Sequence, residues 1–178
     1  NIKVGAQNCS HEKDGALTGE VSASIVKSTG ATHVIIGHSE RRHILGESDG
    51  ITKKKIVQAL QHTLTPILCV GETLDQRESG ETSGIIDRQV RLGTADLSRD
   101  DLQKLVIAYE PVWAIGTGKT ATPEMAEEVH KHIRKILEDL AGKAIAEGIR
   151  ILYGGSVKPQ NIDGLMAMPN IDGALVGG

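Results

Sequence analysis

The sequence contains no phenylalanine, one tryptophan and two tyrosines, so aromatic residues make up only 2% of it. Its core must therefore be built from aliphatic side chains. Cysteine is nearly absent too. Cys9 and Cys69 stand far apart and match neither a CxxC nor a metal-ligand spacing, which argues for two reduced thiols in or near the core. Positive charge is not in excess: 20 Lys and Arg against 23 Asp and Glu leave a formal net charge of −3. No basic stripe is left for nucleic acid or a membrane surface, and the main cationic cluster, at residues 53–55, reads as a solvated helix face. No apolar run approaches the ~18 residues of a membrane span. The opening NIKVGAQNCSHEKDGALTGE has no signal-peptide core, so a cytoplasmic location is expected. It also has no initiator methionine, which reads as a start within a domain.

What the chain of 178 residues does contain is a set of short aliphatic runs: 2–6, 32–36, 66–70, 105–109, 149–153 and 174–176. None alternates cleanly with polar residues. Near-continuous apolar strands belong to parallel sheets covered on both faces. Helical patterns lie between them. Thr122–Pro123–Glu124 is a start signal, with Thr as N-cap and Pro at the first helical position. Apolar residues Ala126, Val129, Ile133, Ile136, Leu137 and Leu140 follow, mostly three or four apart. Segments 49–64 and 82–92 are weaker versions. No low-complexity linker divides the chain, so residues 1–178 form a single β-α repeat unit with six strands.

Six parallel strands suit an open doubly wound sheet or part of an eight-stranded barrel. The polar residues and glycines discriminate. Asn8, His38, Glu72, Glu110, Gly154–Ser156 and Gly177–Gly178 all fall just past the strand ends. An open sheet gathers its ligand groups at one switch point, whereas a barrel gathers them from most strand ends. The distribution favours the barrel.

The stretch VIAYEPVWAIGTGKTA, residues 106–121, sets Glu110 at the end of an apolar strand and follows it with a glycine loop. The loop ends like a P-loop, but Trp113 stands where that motif needs glycine. It also matches G-x-G-x-x-A, yet six residues separate it from the strand, and the acids at ribose distance, Glu138 and Asp139, lie inside a helix. The remaining reading is a lid, stiffened by Pro111 and relaxed at Gly116 and Gly118. A carboxylate against an apolar strand and beneath a closing loop has its charged form disfavoured, which suits a general base. In GHSERRH, residues 37–43, the turn into a helix would lower the pKa of His38 through the helix N-terminus, leaving a neutral imidazole able to donate to a substrate oxygen. His130 and His132 point to different faces of one helix and read as solvated. Gly154–Gly155–Ser156 and Gly177–Gly178 each follow a strand, where glycine lets backbone N–H groups approach an anion.

Taken together, GAQNC, GALTGEVS, VIIGHSERR, ILCVGE, AYEPVWAIGTGKTA, YGGSV and DGALVGG closely resemble the triosephosphate isomerase family, in family order across all 178 residues. The resemblance implies part of a (β/α)8 TIM barrel, with six of eight parallel strands visible. It implies an isomerase that interconverts dihydroxyacetone phosphate and glyceraldehyde 3-phosphate. Glu110 would be the proton-shuttling base, His38 the neutral electrophile, and Glu40 the family's acid near the site. Residues 111–121 match the lid, and backbone groups at Gly116, Ser156, Gly177 and Gly178 would hold the phosphate. No metal or organic cofactor is implied. Residues 9–21 match the loop that plugs into a second subunit, with Thr18 near the partner's site and Glu20 at the interface, so a homodimer is expected. Leu17 stands where the family usually has Phe.

The family barrel has eight units in roughly 250 residues, so this sequence reads as beginning at the third strand and stopping before the last helix. Asn1–Ile2–Lys3 imitates the N-x-K spacing of the first strand, but Lys3 would lie at the wrong end of the barrel. Two readings of different class follow: an isomerase, or a non-catalytic fragment that keeps phosphate-binding or dimer-contact surfaces. A third, another phosphate-binding barrel enzyme, is disfavoured by Glu110 occurring together with His38 and this lid. Six parallel strands with two apolar edges invite aggregation, so the 178 residues alone are expected not to form a stable, active monomer. A sharp, cooperative unfolding transition from a purified monomer of this length would contradict that expectation.

Overall fold

The computed structural model describes residues 2–115 and 119–177. Six strands, β1 (Gly5–Ala6), β2 (His33–Ile36), β3 (Thr65–Val70), β4 (Val106–Tyr109), β5 (Arg150–Tyr153) and β6 (Gly173–Ala174), form one sheet. Its order is β1-β2-β3-β4-β5-β6, every neighbouring pair is parallel, and the sequence reversal of a doubly wound sheet is absent among the described residues. Strands added always in one direction are the winding of a barrel wall. The expected part-barrel architecture is therefore observed.

Between the strands run α1 (Ala23–Ser28), α2 (Ser39–His43), α3 (Asp49–Gln61), α4 (Leu74–Glu78), α5 (Thr82–Gly93), α6 (Arg99–Leu102), α7 (Pro123–Ala141), α8 (Lys143–Gly148) and α9 (Ile162–Met166). Helix α7 starts where the sequence predicts: the Thr122 hydroxyl accepts from the Met125 N–H at 3.3 Å, and Pro123 needs no N–H at its first position. Ser22, Ser48, Thr73 and Ser98 cap α1, α3, α4 and α6 in the same way. Helices α3, α5 and α7 lie side by side over the sheet, so the core sits between them and the strands. Every residue of β4 is buried, as a central parallel strand requires. Val34 and Ile36 of β2, Leu68 of β3 and Ile151 of β5 are fully buried in that same core, which also takes Ile56, Ile86, Ile133 and Leu137 from the helices.

Three features depart from the sequence reading. The outer strands β1 and β6 are each two residues long, because an edge strand has a ladder partner on one side alone; Ile2 and Val4 stay exposed. Lys55 is not on a solvated face. It lies three residues from Thr52 and four from Ala59, within the buried face of α3, where its Nζ binds Glu47 Oε2 at 2.5 Å and Asn8 Oδ1 at 2.8 Å. His130 is fully buried rather than solvated, against the rings of Tyr109 and Tyr153. His132 is half-buried, with its Nε2 at 3.3 Å from the Ser83 carbonyl. Both cysteines are buried and free, as expected.

The His130 Nδ1–H donates to the Asn170 carbonyl at 3.1 Å. Burial dominates its titration: it pushes the imidazole down to about 4, opposed mainly by the Asn170 bond and by Glu127 and Asp172, while Arg134 adds to the lowering. The unfolded chain protonates this residue near pH 6.5. Between these values the unfolded state binds more protons, so stability falls as pH drops from 6.5 toward 4 and is insensitive to this group above 6.5. This histidine should contribute about 3 kcal/mol of that loss. In urea titrations, His130→Gln should show a visibly shallower decline across the window than the parent. Parallel declines would refute the assignment.

Candidate active site

Each site residue is delivered by the residue pattern at a strand end. After β2, Gly37 takes a left-handed conformation, φ +71°, and the chain turns into α2. His38 is the N-cap of that helix, and its Nδ1 accepts from the Glu40 N–H at 3.4 Å. An Nδ1 used as an acceptor carries no proton in the neutral ring, so the proton sits on Nε2. After β4 the ladder continues one step further, with the Glu110 N–H donating to the Val70 carbonyl at 2.8 Å. Glu110 is buried, and its two oxygens are both engaged: Oε1 lies 2.8 Å from His38 Nε2, and Oε2 accepts from the Ser39 N–H at 3.1 Å. The neighbouring Cys69 thiol is pushed well up by burial first and then by the Glu110 carboxylate, so it stays a thiol.

Close approach makes this geometry possible. A Cβ at Gly71 would overlap the Glu110 carbonyl oxygen, and one at Gly154 would lie 3.0 Å from Glu110 Cγ. Glycine at both places lets the chain leaving β3 and β5 close around the backbone and side-chain stem of Glu110.

A cleft of about 690 Å³ opens above these groups, lined by Asn8, His38, Glu40, Glu110, Ser156 and Gly177 among others. These come from beyond β1, β2, β4, β5 and β6. Among the described residues no group of three or more His, Cys, Asp or Glu side chains converges as a metal site. The cleft thus offers a carboxylate and an imidazole in contact, together with glycine-containing backbone beyond β5 and β6. That set can move a proton on a small anionic molecule.

The family model for triosephosphate isomerase matches residues 1–178. The chain belongs to the triosephosphate isomerase family. Triosephosphate isomerase from Chloroherpeton thalassium is 55% identical over 177 residues, covering 99% of this chain and 70% of that protein. The enzyme from Trichlorobacter lovleyi is 56% identical over the same length, again 99% and 70%. That from Chlorobium phaeobacteroides is 58% identical over 173 residues, covering 97% and 69%.

Within this triosephosphate isomerase framework, the structure brings Glu110, His38, Glu40, Ser156 and Gly177 to one cleft. Glu40 is the least enclosed of them: its side chain is 72% exposed, and Oε2 lies 3.7 Å from His38 Nδ1. Gly116 and Gly178 lie outside the described residues. Thr18 and Glu20 are exposed on the loop closed by the Ser10 N–H to Val21 carbonyl bond of 2.7 Å, away from the cleft lining. Glu72 follows a strand end as read from sequence but does not line the cleft. It is fully buried and accepts from Tyr109 Oη at 3.0 Å, Trp113 Nε1 at 2.9 Å and Arg77 at 3.1 Å, so it anchors the first turn of the 111–121 segment.

Two contributors escape a reading of motifs. Lys55 holds Asn8 at the cleft wall, and only its three- and four-residue spacing from Thr52 and Ala59 signals burial. Gln89 grips the backbone beside Glu110, and it too lies on the apolar face of its helix. The direction of the His38 pKa shift also differs from expectation. Its pKa is raised, first by the hydrogen bond to Glu110, against a lowering by burial, with the charges of Glu110 and Glu40 adding to the rise. A partner carboxylate outweighs the partial charge of a five-residue helix. Replacing it, in Glu110→Gln, should therefore lower the His38 pKa, read from ring proton shifts in an NMR titration. An unchanged or higher value would contradict the pairing.

Proposed function

We propose that this cleft interconverts dihydroxyacetone phosphate and D-glyceraldehyde 3-phosphate, an aldose–ketose isomerisation of glycolysis and gluconeogenesis. The observation that carries the reading is the 2.8 Å contact between Glu110 and His38 inside the cleft, in a chain of this family. Glu110 takes a proton from one substrate carbon and returns it to the next. The N–H on His38 Nε2 meets the oxygens on which negative charge develops in the enediolate. One proton changes carbon, a hydroxyl proton passes between the two substrate oxygens, and no electrons leave the substrate, so neither metal nor organic cofactor is required. Glu110 is occupied by His38 and Ser39, so substrate must exchange those partners for its own carbon and oxygens.

The substrate phosphate is assigned to backbone N–H groups at Ser156 and Gly177, which line the same cleft beyond β5 and β6, with Gly116 and Gly178 as further donors. Barrels place phosphate beyond their last two strands. Residues 111–121 serve as the lid, whose closure keeps water from the enediolate. A homodimer formed through residues 9–21, with Thr18 and Glu20 at the contact, fits the exposure of residues 12–21 of that loop. Among the described residues no helix is long and apolar enough to cross a membrane, and a cytoplasmic place of action suits the substrates.

The test is isomerase activity of the protein beside Glu110→Gln, since traces of a host enzyme could imitate success. Loss of the base should lower kcat by about 10²–10⁴-fold. Equal rates from both preparations would contradict the assignment of Glu110.

A further inference from the structure

We infer that Gln89 is a positioning residue for the base: its carboxamide replaces a missing strand at the end of β3 and fixes the backbone against which Glu110 is set. This rests on the isomerase reading for its catalytic consequence, though not for its geometry.

In a parallel sheet, alternate residues of a strand turn both backbone groups to one neighbour and then to the other. At the end of β3, Val70 and Glu72 face the β4 side: their carbonyls accept from the N–H groups of Glu110 at 2.8 Å and Val112 at 3.1 Å. Gly71, between them, faces the other way. There β2 has already ended at Ile36 and given way to α2, so no strand remains to pair with it. Gly71 is buried, and two unpaired backbone groups are costly in such a place, which is why native proteins satisfy them. Gln89 supplies both partners. Its Oε1 accepts from the Gly71 N–H at 2.8 Å, and its Nε2 donates to the Gly71 carbonyl at 3.2 Å. The side chain is itself buried in the apolar face of α5, beside Ile85, Ile86 and Val90. A planar group bearing one acceptor and one donor side by side is what the task demands, and among side chains an amide carries it without charge. Arg42 completes the same edge one pair earlier, donating to the Cys69 carbonyl at 3.1 Å.

What Gln89 holds is not a neutral stretch of chain. Gly71 touches the Glu110 carbonyl so closely that a Cβ would overlap it. The next residue, Glu72, binds the indole of Trp113 at 2.9 Å. Freeing the Gly71 peptide unit therefore loosens the backbone of the base on one side and the anchor of the 111–121 segment on the other.

The experiment compares the parent with Gln89→Met, which keeps the volume without the hydrogen bonds, and Gln89→Glu. A protonated glutamic acid presents the same carbonyl acceptor and O–H donor, whereas its ionised form loses the donor. Gln89→Met should lower kcat by about ten- to a hundredfold at nearly unchanged KM, shift the emission of Trp113, and speed hydrogen exchange at the Gly71 amide, at every pH. In Gln89→Glu all three should approach the parent's values as pH falls and depart from them as pH rises, each taken as a ratio to the parent at the same pH. The inference is overturned if Gln89→Met lowers the unfolding midpoint yet leaves kcat, Trp113 emission and Gly71 exchange as in the parent, or if Gln89→Glu shows no pH-dependent recovery. Should the parent itself lack isomerase activity, the functional reading fails, while emission and exchange still decide the positioning.

Discussion

Two side chains from strands that are not neighbours meet because the strand between them is followed by a glycine held level with both. The register pairs Ile36 of β2 with Leu68 of β3, and Val70 of β3 with Tyr109 of β4. His38 and Glu110 therefore leave the sheet at nearly the same height. The 2.8 Å contact of Nε2 with Oε1 follows from that register and from the absence of a side chain at Gly71. Shift either strand by one residue and the side chains would alternate to opposite faces. Everything chemical in the cleft depends on this alignment.

Where strands stop, buried side chains take up open backbone groups and one another's polar atoms. Gln89 and Arg42 complete the β2 side of β3; Glu72 collects Tyr109, Trp113 and Arg77 below the 111–121 segment; Lys55 bridges Glu47 and Asn8 at the cleft wall. A buried polar group in such a network is costly when its partner is lost. The rim of the sheet is thereby bonded on both sides close to Glu110, while the wall beyond β5 and β6 carries glycines at Gly154, Gly155 and Gly177.

The periodic and punctuating features of the sequence carry most of the architecture. Aliphatic runs mark the strands, Thr122–Pro123 marks the start of α7, and polar residues after successive runs mark one end of a barrel. Glu110, His38 and Glu40 stand in motifs specific enough to be named before any coordinates. Other features are invisible to local reading because their cause is distant in the chain. The two-residue lengths of β1 and β6 follow from their position at the sheet edges. Lys55 and His130 look like surface groups until the helix face they occupy is placed against its neighbours. The rise of the His38 pKa comes from Glu110, a partner on another strand, and not from the helix that His38 itself begins. Gln89 has no motif at all; its role exists only where β2 has stopped and β3 has not.

Above its raised pKa, the His38 ring carries its one proton on Nε2, toward the Glu110 carboxylate. Nitrogen-15 NMR of the His38 ring, taken above its pKa, tests that most directly. Nε2 should show a pyrrole-type shift, and Nδ1, which accepts from the Glu40 N–H, a pyridine-type shift. A ring protonated at Nδ1, with Nε2 bare toward Glu110, would contradict it.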